Sequence, residues 1–430
     1  MRIKRTEQIW MRSDENISSL CHLSKNLYNE ANYLIRQEFF KTGRWIRYYE
    51  LNKELKESEN YKSLPAQTAQ QILQLLDKSW KSFFKAIKVW KKEPEKFKAK
   101  PNLPKYKKKD GEHILVLTDQ QCKIREDGSL KFPKLLGLDD RVKTRFGKET
   151  NLKQVRVIPK GIGYVVEVVY EKEEDLDDLD KDRIAGIDLG VRNLVAIANN
   201  IEEQPIVVKG GICKSINQFY NKEMGRIQRI YERQKIKMGK KSKKLFDRRN
   251  RKVKDHLHKV SRFIVDYCVK RDIGTLVIGQ NEDWKQNVNI GKKNNQNFVQ
   301  IPFCMLINQI KYKAEEKGIN VILQEESHTS KCSFLNGESV EHHDHYLGKR
   351  FKRGLFRSAK GIIINADVHG AYNIIKKAIP KVVGNLRFLR TFINVQVDGI
   401  EGVGLHPLRC YIQKSKGFLI CRKSPIFEHV

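Results

Sequence analysis

Five short apolar runs in the second half of the chain constrain its fold more than any other feature: RIAGID, LVAIANN, PIVVKG, TLVIG and INVILQEE. They are too short for buried helices and are bounded by Gly, Pro, Asn and Asp, so they read as strands. The first two are placed to pair as a hairpin that PIVVKG extends. TLVIG and INVILQEE flank a helical pattern over FCMLINQIKYKAEEKG. A strand–helix–strand unit of this kind places its strands parallel and adjacent. A hairpin followed by such a unit predicts an α/β sheet of RNase H-like type.

The first run ends on an acid. Asp188 lies in an apolar strand, so its burial has to be offset by a metal or by hydrogen bonds to a turn. Asp367 opens the final helical pattern, INADVHGAYNI, as a second ligand or as an ordinary helix cap. Phosphodiester chemistry with two Mg²⁺ ions needs a third hard oxygen ligand close to these two. Gly279, at the end of TLVIG, occupies the place where that acid is sought. An acid on the neighbouring strand reaches the same sheet edge, because adjacent strands lie about 4.8 Å apart. Glu325 and Glu326 end INVILQEE, and alternation along the strand lets one of the two face the metals. Glu282 and Asp283 fall in the loop after Gly279 and read as solvated acids.

The first half has a different grammar. NISSLCHLSKNLYNEANYLIRQEFF and TAQQILQLLDKSWKSFFKAIKVW carry apolar residues at helical spacing, and Pro65 and Pro94 bracket the second. Trp80, Phe83, Phe84 and Trp90 follow that spacing and read as core. A basic, proline-punctuated linker follows. HILVLTD, GSLKFP and QVRVIPKGIGYVVEVVYEKE then read as strands, the last as a hairpin. Helices inserted near the start of a set of short strands predict a small β-barrel. The acidic run EKEEDLDDLDKD reads as a linker between the two halves.

Charge points to the partner. Lys+Arg total 84 against 51 Asp+Glu, a net charge of +33, which predicts a polyanion such as nucleic acid. The strongest basic segment, within a helical stretch from Lys214 to about Lys270, contains Lys240, Lys241, Arg248, Arg249 and Arg251, suited to phosphate contact. Tyr106, beside Lys107, Lys108 and Lys109, combines an aromatic face with positive charge, as single-strand contacts do. No apolar run approaches a membrane span of about 20 residues, and the N-terminus lacks the apolar core of a signal peptide. The eight cysteines form no C-x-x-C pair and read as reduced intracellular thiols.

Taken together, IAGIDLGVRNLVAI, INADVHGAYNI and HTSKCS resemble the RuvC-type nuclease of the TnpB family, transposon-encoded RNA-guided DNA nucleases related to type V CRISPR effectors. The resemblance implies an RNase H-like (RuvC) domain following a wedge β-barrel that carries a helical recognition insertion. It assigns residues 1–14 and 106–180 to the barrel and linker, and 15–105 to the recognition helices. The nuclease would span 181–326, with its basic insertion at 214–270. A degenerate ribbon at 327–362, the last motif and helix at 363–380, and an extension at 381–430 complete the chain. The implied activity is guided cleavage of double-stranded DNA beside a short motif. The implied cofactor is a pair of Mg²⁺ ions, with Mn²⁺ as a substitute, on Asp188, Glu326 and Asp367. Glu325 is the alternative to Glu326. The implied partners are a guide RNA from the transposon end and the target DNA, in the bacterial cytoplasm at the nucleoid.

Three departures from the family pattern matter. Gly279 replaces the usual glutamate, and some lineages, with their Fanzor relatives, instead carry it on the later strand, three residues before Thr329. That position is Glu326. The four-cysteine ribbon is reduced to Cys332, and His342, His343 and His345 lack the spacing of a zinc site, so no structural zinc is expected. His369 stands where Asn is usual. The rival readings are a nuclease-dead guided repressor and a guide-independent transposase.

Overall fold

The computed structural model describes residues 2–138, 142–201, 203–281 and 291–380, with four strand segments at 396–397, 400–401, 408–412 and 419–422. The chain divides into two compact units, Met1–Glu174 and Asp175–Val430.

The first unit opens with β1 (Arg2–Arg12), followed by helices α1 (Glu15–Thr42), α2 (Tyr48–Leu55), α3 (Glu59–Lys62) and α4 (Ala66–Lys92). Strands β2 (Leu115–Thr118), β3 (Lys123–Ile124), β4 (Leu130–Lys131), β5 (Asn151–Lys160) and β6 (Gly163–Glu173) complete it. The wedge sheet is antiparallel in the order β1-β6-β5-β2, so the four helices are an insertion between two strands of one sheet. Asp14 caps α1 by accepting from the Ile17 N–H, and Gly43 closes it in the left-handed conformation at φ 74°. The stripe Ile17, Leu20, Leu27, Ala31 and Ile35 on α1 packs with Ile72, Leu73, Leu76 and Trp80 from α4 in one core. Trp80 is fully buried, and its indole N–H donates to Asn32 Oδ1 at 3.0 Å. Phe83 and Phe84 pack against the same core.

The basic linker is an extended strap lying along α1. Lys25 Nζ donates to the Lys109 carbonyl at 2.7 Å, and Asn29 exchanges two hydrogen bonds with the Lys107 backbone. Asn32 and Arg36 both donate to the Pro104 carbonyl. These four side chains are spaced by four, three and four residues, which is one face of a helix. Backbone polar groups that a proline-rich segment cannot pair in a sheet are thereby satisfied.

The second unit begins with β7 (Ile184–Leu189), β8 (Asn193–Asn199) and β9 (Ile206–Lys209), which pair antiparallel in sequence. Helices α5 (Gly211–Arg233) and α6 (Lys240–Lys270) follow, then β10 (Thr275–Gly279), α7 (Lys292–Val299), α8 (Phe303–Glu315) and β11 (Asn320–Gln324). A three-stranded sheet of β12 (Gly348–Lys352), β13 (Leu355–Ser358) and β14 (Ile363–Asn365) precedes α9 (Ala366–Ala378). Short strands β15 (Gln396–Val397), β16 (Ile400–Glu401), β17 (Leu408–Ile412) and β18 (Leu419–Arg422) lie beyond. The main sheet has the order β11-β10-β7-β8-β9-β17-β18. β10 is parallel to both β7 and β11, as the strand–helix–strand pattern predicts. Helices α6 and α8 cover one face through Leu257, Val260, Ile264, Leu306 and Ile310, and α9 covers the other through Val368, Ala371 and Ile375.

Three expectations need correction. The basic stretch from Lys214 to Lys270 is two helices, not one: the chain turns at Lys235, whose φ is 54°, and Gly239 packs where a Cβ would strike the Tyr231 ring. INVILQEE leaves the sheet at Gln324, so neither glutamate is a strand residue. Cys410 is disulfide-bonded, so the cysteines are not all reduced; its neighbour across the β17–β18 pair is Cys421.

Buried histidines give the fold an acid limit. Burial pushes His113 in the first unit and His256 in the second from 6.5 down to about 4, so both are neutral when folded. Their contribution is complete above the unfolded value and is lost as pH falls from 6.5 towards 4. The melting temperature should therefore fall across that interval, and His256→Leu should fall less. Calorimetry at half-unit steps of pH checks this, and equal slopes would refute it.

Candidate metal centre

The parallel strands β7, β10 and β11 end at one edge of the sheet, where open α/β sheets place their ligands. Asp188 stands there on β7, one residue beyond the Ile187–Ile278 pair, level with Gly279. Gly279 itself pairs with Gln324, the last residue of β11. Beyond it the chain folds back. The Glu326 N–H donates to Asn281 Oδ1 at 2.8 Å, and the Glu326 carbonyl accepts from Thr329 Oγ1 at 2.8 Å. These bonds send the Glu326 side chain across the Cα of Gly279. A Cβ on residue 279 would lie well under 3.0 Å from Glu326 Oε1 and Cδ and from Ile374 Cδ1. The glycine that looks like a lost acid is the opening through which another acid enters.

Glu325 turns the other way. Its carboxylate pairs with Lys377 at 2.5 Å and accepts from the Ser327 hydroxyl at 2.6 Å. The Lys377 and Ser327 hydrogen bonds hold it ionised, with its pKa drawn down to about 2. Glu326 is the opposite case. Its Oε1 is buried without a hydrogen-bond partner, and burial, helped by the Glu325 charge, pushes its pKa up to about 7. Burial raises the pKa of Asp188 well above the ordinary carboxylate value, and the charges of Glu326 and Asp367 add to the rise. Glu282 and Asp283 lie outside the described residues.

Asp367 arrives from the other side of the sheet. Asn365 caps α9 by accepting from the N–H groups of Asp367 and Val368, which places Asp367 in the first turn. Asp367 Oδ2 accepts from Asn193 Nδ2 at 2.6 Å. Small residues allow α9 this close: a Cβ on Gly370 would be 2.9 Å from Asp188 Oδ2, and one on Gly186 would be 2.5 Å from the Ala371 carbonyl. Asp188, Glu326 and Asp367 thus share one end of the sheet. Among the described residues, no three His, Cys, Asp or Glu side chains already stand in closed ligating geometry. Clustered carboxylates repel one another until a cation neutralises them. Hard oxygens, one of them orphaned in a buried site, are the donor set that Mg²⁺ takes.

The segment expected to be a ribbon remnant packs onto α9. Asn373 Nδ2 donates to the Thr329 and Cys332 carbonyls at 2.8 and 2.7 Å. Phe334 stacks on Tyr372, with centroids 4.7 Å apart. His369 is fully buried, stacks on Phe356 at 3.8 Å and accepts the Phe334 N–H through Nε2. Cys332 Sγ is buried beside the Glu341 carbonyl, while His342 and His345 are exposed and His343 bonds to Ser339.

The basic candidates divide by exposure. Lys240, Lys241, Arg248 and Arg251 are exposed on α6. Arg249 is half-buried and donates to Asn217, Asn250 and the Gln300 carbonyl, so it braces the helices. Lys107, Lys108 and Lys109 are exposed on the strap, and Tyr106 is 44% exposed with the Arg36 guanidinium 5.0 Å from its ring centroid. Sequence reasoning missed Asn193, Lys209 and Asn281; the polar residues that closely follow DLG and TLVIG were the available signal.

Comparison with known proteins agrees with this architecture. A family model described as probable transposase (OrfB of IS605) matches residues 167–285, and the Cas12f1-like TNB domain matches residues 303–374. The chain is 24% identical to the TnpB-like protein ORF457 of Acidianus two-tailed virus, over 91% of this chain and 90% of that protein. It is 29% identical to the CRISPR-associated endodeoxyribonuclease Cas12f1 of Sulfoacidibacillus thermotolerans over 51% of each. The chain is similar to a TnpB-like protein over nearly its whole length. A Cas12f1–sgRNA–target DNA complex contains a chain that shares this fold, with a TM-score of 0.52 over 84% of this chain and 83% of that one, at 14% identity. No helix among the described residues is long and apolar enough to cross a membrane.

Proposed function

We propose that this chain is a TnpB-type RNA-guided DNA endonuclease of an insertion-sequence transposon, with Asp188, Glu326 and Asp367 holding two Mg²⁺ ions. The observation that carries the reading is Glu326. A buried carboxylate oxygen without a partner, beside two further acids, is costly to keep unless a cation completes it. Bound there, the metal pair would activate a water and stabilise charge on the leaving oxygen. The chain's own residues bring the carboxylates to one sheet edge, and the buried apolar residues beneath them hold that edge in place. The net charge of +33 suits a guide RNA and a DNA duplex, whose phosphates the exposed lysines and arginines of α6 and the strap would position. The apolar packing of Phe334, Phe356 and Tyr372 supports a ribbon region that needs no structural zinc.

The test is to purify the full chain, sequence the RNA it carries, and supply duplexes matching that RNA with Mg²⁺ or Mn²⁺. Guided cleavage, lost after RNase treatment, is expected. Site-specific cutting by RNA-free protein would favour a transposase, and guided binding without cutting would favour a repressor.

A further inference from the structure

We infer that Asn193 and Lys209 form a positioning pair that fixes how Asp367 presents itself to the metals. This rests on the nuclease reading. Asn193 begins β8, directly after the turn that follows Asp188, and pairs across the sheet with Lys209 at the end of β9. Lys209 Nζ donates to Asn193 Oδ1 at 2.9 Å, and Asn193 Nδ2 donates to Asp367 Oδ2 at 2.6 Å. Asn193 is only 6% exposed.

The chemistry of the three groups dictates the direction of the chain. An ammonium has only donors and a carboxylate only acceptors, so a carboxamide can bridge them in one orientation, its oxygen toward Lys209. Lys209 therefore prevents the amide from flipping, and the amide keeps Oδ2 of Asp367 occupied. Oδ1 is left as the oxygen for a cation. The α9 cap formed by Asn365 holds the backbone of the same residue, so Asp367 is fixed at both its main chain and its side chain. The arrangement is a support for a ligand: neither Asn193 nor Lys209 needs to touch metal or substrate.

Supports of this kind are worth roughly 10–100-fold in metal affinity. The test is Mn²⁺ binding to the full chain, followed by the spin-resonance signal of the free ion. Cleavage and melting temperature are measured beside it. Asn193→Ala should weaken binding by roughly 10–100-fold. Lys209→Met, which keeps the length of the side chain but frees the amide to flip, should also weaken it, and Lys209→Arg should restore it. A merely structural role would lower the melting temperature of Lys209→Met and leave its Mn²⁺ affinity intact. Wild-type affinity in both Asn193→Ala and Lys209→Met, with binding lost in Asp188→Ala, overturns the positioning role alone. Equal binding in wild type and Asp188→Ala overturns the metal centre and this inference together.

Discussion

Glu326→Ala should abolish Mg²⁺-dependent cleavage, by a factor on the order of 10² to 10³ or more, while Glu325→Ala cuts nearly as fast as the wild type. The two neighbours differ only in direction. Glu325 is paired with Lys377 at the surface, and Glu326 points into the acid cluster with an oxygen left over. Gly279→Ala should be as damaging as Glu326→Ala, although it removes no functional group. Its Cβ would lie under 3.0 Å from Glu326 Oε1 and from Ile374 Cδ1, so the carboxylate would have to leave its present position. The same geometry predicts a rescue. The Cα–Cβ direction at residue 279 leads to the point where Glu326 Oε1 now lies, so Gly279→Glu combined with Glu326→Ala should recover part of the activity. Rates on a matched duplex, with guided binding measured in parallel, separate these cases. Cleavage that survives Glu326→Ala but not Glu325→Ala would reverse the assignment.

Gly186→Val should be the most destabilising single change at the sheet. Its side chain would meet the Ala371 carbonyl and Ile375 Cγ1, both at 2.5 Å, and one of these is backbone that cannot rotate away. Overpacking of this kind costs about 1–3 kcal/mol and sometimes more. Since α9 would have to lift from β7, Asp367 would move with it and cleavage should fall further than stability alone explains. Gly225→Ala is the matched control. It lies inside α5 with no atom near the new methyl group, and should stabilise by about 0.5–1 kcal/mol. Denaturant unfolding compares the two, and a neutral Gly186→Val would show that the helix has room to spare.

The sheet was legible because its strands leave continuous apolar runs: IAGID and TLVIG belong to the buried β7 and β10, and INVIL to the half-exposed edge strand β11. The choice between Glu325 and Glu326 was not legible from strand alternation. The strand ends at Gln324, and the direction of each side chain is set in the turn by Asn281, Thr329, Ser327 and Lys377. Those partners lie up to 52 residues away in sequence, beyond any local pattern. The break between α5 and α6 was hidden because charged residues dominate both helices, and the turn depends on one lysine adopting a left-handed conformation. The addition of β17 beside β9 could not be inferred either, because its pairing is with a strand about 200 residues earlier. His369 could be seen as a departure from pattern. Its stacking on Phe356, which makes it part of the packing, could not.

The strap along α1 has a consequence of its own. The helix grips it by its main chain, through Lys25, Asn29, Asn32 and Arg36, and leaves the side chains of Lys105 and Lys108 outside that grip. Attachment and message are therefore written in different atoms. The charge along this edge can be rewritten, residue by residue, without unfastening the segment that displays it, whereas a change at Asn29 or Asn32 would loosen the strap with its sequence intact.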